Sequence, residues 1–559
     1  MSGLTRLTAQ TRLKALPWLA WWVLGTYLLC SGHWGGPGIP AEDPAYFFQQ
    51  VFQTLDHGTI PFRGYYSQME FGHPGPILYW VLTLGGLIAK VFGFSVVSGG
   101  VIAYAGTVMA LLLLTGAMVR RGTGSILAAV GTVAVGWWMM VVHLLVWDGG
   151  PFANLSVWPI FGPSMGSMFL LAGVASAAAA LAGDRRAAWW AVILSGLAFQ
   201  VNASFAIDAA ILLLEGTWLL LRRRDWVRLV QALGLGYGAV IARMFVDGVT
   251  FPVEYVRQIL TYNDELHSGT FERTPVTELL SRSWNLIGHE SLVLPAGLFI
   301  ALGIAVVFIQ NRRFALYLAG AYVYTMLAVV YIVVKPHHAA IASPFLALGV
   351  GTGLGVLVEQ VLKGLTRSRP RIHRAALTLI VLAVSAWSIP TGLSTYGSAT
   401  QPELALSGSI PRVKERIEKI AAAVDASGVE EGMTVGFLSA KNEFIERGTV
   451  PHTYVAEILN AYSLQGASLC YAIAAPRANP VSPPACRGRY VDVWIAFDTD
   501  GRIATEPLTS IPIEAPIESQ SLQLHRTTDP AELGFKLCKT VPSRPNLPGN
   551  NWFFGPACT

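Results

Sequence analysis

The sequence predicts a polytopic, all-α membrane domain with about 11 transmembrane helices, followed by a C-terminal extracytoplasmic α/β domain. The 559 residues are 53% hydrophobic and only 13% charged, whereas a soluble domain has about 25% charged residues. Apolar runs of spanning length alternate with short basic clusters, and after residue 392 the composition becomes that of a soluble protein. The net charge of +5 arises from those clusters, so we expect no nucleic-acid partner.

The predicted spanning helices are apolar runs of about 17–25 residues, the length that crosses a bilayer. They cover approximately residues 16–32, 98–119, 123–146, 158–181, 187–205, 206–221, 229–247, 291–310, 314–334, 339–362 and 375–392.

Basic residues mark every second connection between these runs. The clusters are Arg120-Arg121, Arg185-Arg186, Arg222 to Arg224, Arg312-Arg313 and Lys363 to Arg374. Because Lys and Arg remain on the cytoplasmic side, we expect a cytoplasmic N-terminus and an extracytoplasmic C-terminal domain in the cell (inner) membrane. A crossing by the apolar run from Pro76 to Gly93 would invert this pattern. We therefore predict that this run is a helix that lies on or dips into the outer face.

The predicted membrane domain comprises residues 1–392. Its first outer loop, about 33–97, contains the interfacial helix, and a second large outer loop covers about 248–290. Residues 393–559 form the predicted soluble domain, with a helix at 410–426 and strands at 434–438 and 490–497.

Four cysteines fall in this soluble domain: Cys470, Cys486, Cys538 and Cys558. An even number in an oxidising compartment predicts two disulfides, and three pairings are open. Four reduced, buried thiols are the alternative.

Two adjacent carboxylates, Glu42 and Asp43, follow the first predicted span. Such a pair at a membrane surface is costly unless it binds a cation, a base or a proton. Transfer of a sugar from a polyprenyl phosphate with inversion needs a base for the acceptor hydroxyl and cationic stabilisation of the leaving phosphate. The pair suits the first need. An N-cap formed by Asp43 before Pro44 is the alternative, and the two roles are compatible.

The N-terminal 120 residues or so resemble the GT-C glycosyltransferases, and the rest of the chain matches them in architecture alone. The resemblance lies in the first span, the acidic pair, the Pro-rich turn from Glu70 to Pro76, the segment Leu78-Tyr79-Trp80 and a span that ends in Arg120-Arg121. It implies a GT-C-like membrane domain that uses a polyprenyl-phosphate sugar donor, as aminoarabinose, protein O-mannosyl and arabinofuranosyl transferases do. By the same resemblance Asp43 is the catalytic Asp and Glu42 is the second carboxylate.

Three cationic side chains, Lys335, His337 and His338, lie at the predicted outer end of the ninth span, where positive charge is disfavoured. We interpret them as a binding site for the donor phosphate. Metal ligation by the two histidines and anchoring at the lipid surface are the alternatives. Arg243, near the outer end of the seventh span, is a further phosphate-binding candidate, and snorkelling to the headgroups is its alternative.

Four other residues in the outer loops are candidates for substrate binding: Arg63, Glu70, His73 and Asp148. The alternative for Glu70 and His73 is a polar turn fixed by the following prolines, and for Asp148 it is ordinary turn chemistry. A divalent cation (Mg²⁺, Mn²⁺ or Ca²⁺) held by Glu42, Asp43 and Asp148 is left open.

The predicted function is therefore a membrane glycosyltransferase that acts on an extracytoplasmic glycan, lipid or cell-wall acceptor. A transporter or flippase is a rival, but it would place acids and broken helices at mid-membrane, whereas the polar residues singled out here cluster at the outer surface. A non-enzymatic scaffold for the C-terminal domain is a second rival. It leaves the acidic pair and the segment from Lys335 to His338 unexplained.

Overall fold

The fold is taken from a computed structural model that describes part of the chain. The described residues are 18–27, 29–30, 47–48, 51, 54–55, 58, 60–61, 64, 74–145, 162–202, 205–247, 293–332, 347–366, 370–399, 428–430, 433–439, 468–473, 492–498, 506–507, 509–514, 519–528, 532, 536–539 and 552–555.

Each of the predicted spans contains a helix. The helices are α1 (Ile77–Val91), α2 (Val96–Thr123), α3 (Ile126–Leu145), α4 (Gly162–Leu181), α5 (Ala187–Val201), α6 (Ala206–Arg222), α7 (Trp226–Asp247), α8 (Val293–Gln310), α9 (Arg312–Ile332), α10 (Thr352–Leu365) and α11 (Pro370–Ala399). A π-helix, Ala347–Gly351, leads into α10, and residues 18–27 are helical within the first predicted span. Among the described residues, Val96–Thr123 and Leu348–Leu365 are the two helical segments long and apolar enough to cross a membrane.

The basic connections meet at one end of the helical bundle, which we call the basic end. Arg121 forms an ion pair with Asp184 at 3.4 Å, and Arg223 donates to the carbonyl of the same Asp184 at 3.2 Å. The side chain of Asn311 donates to the carbonyl of Gly122 at 2.7 Å. The predicted alternation of basic and non-basic connections therefore corresponds to the geometry of the bundle.

The centre of the bundle is α4, which packs against α2, α5, α6 and α9. Its alanines are buried, with Ala175, Ala177, Ala178 and Ala179 at 0% exposure. Small side chains let neighbouring backbones approach closely, which is the usual basis of helix packing in a lipid environment.

Glycines in and just before α10 form two interleaved contact faces. Gly351 and Gly355 face α3: a Cβ added at Gly351 would lie 2.7 Å from the carbonyl carbon of Gly131. Gly349 and Gly353 face α8, where a Cβ at Gly353 would lie 2.8 Å from the carbonyl oxygen of Gly303. Residues four apart share one side of a helix, so two offset glycine pairs place this segment tightly between α3 and α8.

The predicted interfacial helix appears as α1, which pairs with the beginning of α2. Gly85 and Gly99 touch backbone to backbone, and a Cβ at Gly99 would lie 2.9 Å from the carbonyl carbon of Gly85. The side chain of Ser95 caps α2 by accepting from the amide of Ser98 at 3.4 Å. These contacts lie at the end of α2 far from Arg121, so they keep α1 in the half of the bundle away from the basic end. Its position relative to a membrane stays a prediction.

The C-terminal region contains a mixed five-stranded sheet of order β2-β1-β3-β5-β4. Its strands are β1 (Thr434–Ser439), β2 (Ser468–Ile473), β3 (Val493–Asp498), β4 (Thr509–Glu514) and β5 (Ser519–Thr527), and β6 (Lys536–Lys539) pairs with β7 (Trp552–Gly555) in a separate ribbon. β1 is parallel to β2 and β3, whereas β5 is antiparallel to β3 and β4. The predicted strand at 434–438 is confirmed, and the one at 490–497 is confirmed from Val493 onwards.

Other predictions for this region are not tested. The predicted helix at 410–426 lies outside the described residues, and α11 continues to Ala399, beyond the predicted domain boundary at 392. Cys470 lies in β2 and Cys538 in β6, but their side chains are not described, and Cys486 and Cys558 lie outside the described residues. The disulfides therefore stay a prediction.

Candidate functional site

The candidate site lies at the end of the bundle opposite the basic end, around the turn Pro74-Gly75-Pro76. This turn directly precedes α1 and directly follows the predicted site residues Glu70 and His73 in sequence. The last carbonyl groups of a helix have no partner within the helix, and the carbonyl of Gln200 in the last turn of α5 is one of them. The amide of Gly75 donates to it at 3.0 Å. The turn thus satisfies an open helix end.

Glycine at position 75 is required by close approach. A Cβ at Gly75 would lie 2.7 Å from the Cβ and 2.5 Å from the Cγ of Gln200. The adjoining prolines, Pro74 and Pro76, stiffen the turn because each fixes its own φ and restricts the residue before it. The Gln200 side chain therefore fits the turn closely.

The side chain of Gln200 also joins α5 to α7. It is 1% exposed, and its Nε2 donates to the carbonyl of Gly236. Its Oε1, the atom nearest to a Cβ at Gly75, has no hydrogen-bond partner among the described residues. One turn below, Gly196 packs directly on the backbone of Gly236, which brings the two helices close enough for Gln200 to bridge them.

A buried cation completes the site. Arg243 lies on α7 beyond Gly236, in the direction away from the basic end, and is 6% exposed. Its Nη1 donates to the carbonyl of Pro74 at 3.2 Å. Snorkelling would leave the guanidinium at the bundle surface, so its burial argues against that alternative. A guanidinium buried in a low-dielectric region interacts strongly with any anion that reaches it.

Two aromatic residues of the first outer loop, shortly after the acidic pair in sequence, are anchored near the same helix, α1. Phe47 and Phe48 are buried, at 2% and 0% exposure. Phe47 makes an edge-to-face contact with Tyr79 in α1, with ring centroids 6.2 Å apart. Phe48 lies against Gly100 at the start of α2. Phe47 and the turn at Pro74 therefore hold two points of the first outer loop, one on either side of residues 49–73, close to α1.

Arg243 is the one predicted site residue whose side chain the structure describes. The remaining predicted site residues lie outside the described residues: Glu42, Asp43, Arg63, Glu70, His73, Asp148, Lys335, His337 and His338. No group of three or more His, Cys, Asp or Glu side chains suited to a metal ion occurs within the described part of the chain. The carboxylates named for a divalent cation are outside that part.

Sequence reasoning missed one buried polar position at this site, and the structure describes a second buried polar residue elsewhere in the bundle. Gln200 was not predicted, although a glutamine at the outer end of an apolar helix is a signal that such reasoning can use. Asp208 on α6 is 1% exposed and accepts a hydrogen bond from Thr325 on α9 at 3.0 Å. That bond pairs the carboxyl group across two helices inside the bundle.

Comparison with solved structures finds membrane transferases at low similarity. ArnT from Cupriavidus metallidurans bound to undecaprenyl phosphate is 13% identical, with a TM-score of 0.48 over 91% of this chain and 98% of that chain. A second solved structure is archaeal oligosaccharyltransferase AglB from Archaeoglobus fulgidus in complex with an inhibitory peptide and a dolichol-phosphate. It is 11% identical, with a TM-score of 0.36 over 88% of this chain and 70% of that chain. The Archaeoglobus fulgidus oligosaccharyltransferase tethered to an acceptor peptide is 12% identical. Its TM-score is 0.37 over 79% of this chain and 63% of that chain.

No protein-family model matches the chain, and no curated protein matches it.

Proposed function

We propose that this chain is an integral membrane glycosyltransferase of the GT-C type. It transfers a sugar from a polyprenyl-phosphate donor to an extracytoplasmic glycan, lipid or cell-wall acceptor. One observation supports this most directly: Phe47, four residues after Asp43, packs on Tyr79 of α1, and the buried guanidinium of Arg243 bonds to the turn that precedes α1.

Chain connectivity brings the proposed catalytic residues towards this place. Asp43 is four residues before Phe47, and an extended chain spans at most about 3.3–3.6 Å per residue, or about 14 Å here. His73 is covalently joined to Pro74, whose carbonyl accepts from Arg243. A general base and a phosphate-binding cation therefore fit within one region.

In the proposed reaction Asp43 acts as the general base. Its carboxylate takes the proton from the acceptor hydroxyl while the acceptor oxygen attacks the anomeric carbon of the sugar. The bond between that carbon and the phosphate oxygen breaks, and the polyprenyl phosphate leaves with the electron pair. Lys335, His337, His338 and Arg243 balance the negative charge that develops on it. The configuration at the anomeric carbon is inverted.

The other predicted site residues are proposed to bind the substrates of this reaction. Glu42 supplies the second carboxylate, and Arg63, Glu70, His73 and Asp148 are proposed to contact the sugar or the acceptor. A divalent cation, if the enzyme uses one, would be held by Glu42, Asp43 and Asp148 and would stabilise the phosphate.

The proposed orientation places the basic end in the cytoplasm, because Arg-rich connections stay there. The site then faces the outer side of the cell membrane. The C-terminal domain lies on that side as well and is proposed to guide the acceptor.

Purified full-length protein in lipid nanodiscs tests the proposal. The probes are polyprenyl-phosphate pentoses and hexoses that carry radiolabelled sugar, and the readout is release of unlabelled polyprenyl phosphate in the presence of an envelope glycan extract. Release that depends on Asp43 supports the proposal. Movement of the intact lipid-linked sugar across proteoliposomes without release would favour the flippase.

A further inference from the structure

We infer that Gln200 is a positioning residue that holds the turn before α1, and through it the preceding residues of the first outer loop, in working geometry. Together with Gly75, Gly236 and Arg243 it forms what we call the outer clamp, in which α5 and α7 grip the turn Pro74-Gly75-Pro76. The effect of this clamp on catalysis rests on the proposed function, whereas the clamp itself rests on the contacts described here.

The clamp joins three chain segments, α5, α7 and the turn, through three hydrogen bonds. The Gln200 carbonyl accepts from the Gly75 amide at 3.0 Å, the Gln200 side chain donates to Gly236, and Arg243 donates to Pro74 at 3.2 Å. Gln200 is the residue common to α5, α7 and the turn. Its burial at 1% exposure excludes water that would compete for these bonds.

The space between Gly75 and Gln200 leaves no room for a side chain at position 75. The positions nearest to an added Cβ are the Oε1, Cγ and Cβ atoms of Gln200, so the turn lies directly on that side chain. A methyl group at position 75 must displace either the turn or Gln200. In a packed interior such a displacement shifts backbone rather than being absorbed locally.

A displacement of the turn reaches the proposed site because few residues of chain separate the two. His73 is adjacent to Pro74, and Glu70 is three residues further back. A misplacement of about 1 Å at reacting groups can reduce a rate by about 10²-fold. Gln200 therefore acts on the reaction through the loop and need not touch the substrate.

A size-compensation experiment on the full-length chain tests this inference. The variants are Gly75→Ala, Gln200→Gly and the double variant, and the control is Gly238→Ala, which lies on α7 where an added Cβ has open space. We expect Gly75→Ala to lower kcat by about 10²-fold with a smaller change in KM. The double variant should recover much of this loss, because Gln200→Gly removes the Cβ, Cγ and Oε1 atoms that obstruct residue 75, while the backbone carbonyl of residue 200 still accepts from the amide of residue 75. Gly238→Ala should match the parent.

Hydrogen exchange gives a readout independent of sugar transfer. Residue 75 carries the single amide N–H of the turn, because proline has none, so exchange within the turn reports on that one bond. We expect this amide to be protected in the parent, to exchange faster in Gly75→Ala and to be protected again in the double variant. If this pattern occurs but no sugar is transferred, the clamp stands and the proposed function fails.

Two outcomes overturn the inference. The first is a Gly75→Ala variant whose turnover rate and residue 75 amide exchange rate equal those of the parent. The second is a double variant that is no better than Gly75→Ala, and this includes the case in which neither variant folds, as judged by its thermal unfolding midpoint. A double variant that folds where Gly75→Ala does not supports the clamp even without a rate.

Discussion

The guanidinium of Arg243 donates a hydrogen bond to the carbonyl oxygen of Pro74 at 3.2 Å, across 169 positions of sequence. This bond ties α7 to the turn that precedes α1 within the predicted first outer loop. It places a buried positive charge beside the N-terminal end of α1. Because the charge is shielded from water, its loss should affect the site more than the loss of a surface cation would.

The first prediction follows from this bond. Arg243→Met keeps much of the side-chain volume but removes the charge, and a hydrogen bond to a charged group contributes about 1.5–3 kcal/mol. We expect donor affinity to fall by about 10- to 100-fold, measured by titration of a polyprenyl-phosphate sugar into nanodisc-embedded protein. Arg228→Met is a matched control, because Arg228 lies at the other end of α7 and pairs with Asp225. Equal donor affinity in the two variants would remove Arg243 from the site.

The second prediction concerns the glycine faces that hold α10. Gly351→Ala places a methyl group 2.7 Å from backbone atoms of Gly131 and Thr132, which cannot move aside without separating the helices. Overpacking of this kind costs about 1–3 kcal/mol, so the thermal unfolding midpoint should fall.

Gly364→Ala is its control in the same helix, because an added Cβ there has open space. That variant should be neutral or gain up to about 1 kcal/mol from helix propensity. Equal midpoints for the two variants would show that α10 does not pack as described.

The third prediction concerns a carboxylate at the basic end. Glu359 accepts hydrogen bonds from the hydroxyl of Ser125 at 2.5 Å and from the amide of Leu127 at 3.3 Å, so it caps the start of α3 from another helix. Glu359→Ala leaves these buried donors unsatisfied, which costs about 1–3 kcal/mol. Lys363, its partner at 2.9 Å, is exposed, so Lys363→Ala should cost less than about 1 kcal/mol. Chemical denaturation of both variants measures the difference, and a larger loss for Lys363→Ala would contradict the capping role.

Sequence reasoning predicted the helices and the basic end well, because both depend on local composition. Apolar runs of spanning length have one stable conformation in lipid, and Arg121, Arg223 and Arg312 mark the same end of successive runs. Contacts between distant segments were not predicted. Proline on both sides of Gly75 indicates a turn, but the sequence does not reveal that Gln200 fills the space beside it.

The glycines in and just before α10 also show that contacts between distant segments cannot be predicted from local sequence. Their spacing is visible in the sequence, yet the choice of α3 for Gly351 and α8 for Gly353 depends on how the helices assemble. For the site, the sequence named Arg243 as a cation at the outer end but not its bond to Pro74, which joins residues 169 positions apart.

The fourth prediction concerns orientation. Exposed positions at the two ends of the α1–α2 region, Arg120 and Gly93, should lie on opposite sides of the membrane. In intact cells a membrane-impermeant maleimide should label Gly93→Cys but not Arg120→Cys, and mass spectrometry can locate the label among the native cysteines. Labelling of Arg120→Cys from outside would reverse the orientation and make α1 a spanning helix.

The most direct test of the proposed function is sugar transfer by Asp43→Asn. This substitution removes the proton acceptor and preserves the size of the side chain. If Asp43 is the general base, the rate of release of polyprenyl phosphate from a labelled donor should fall by about 10²–10⁴-fold, while donor binding and the unfolding midpoint remain close to those of the parent. Turnover at the parental rate by a folded Asp43→Asn protein would contradict the proposed mechanism.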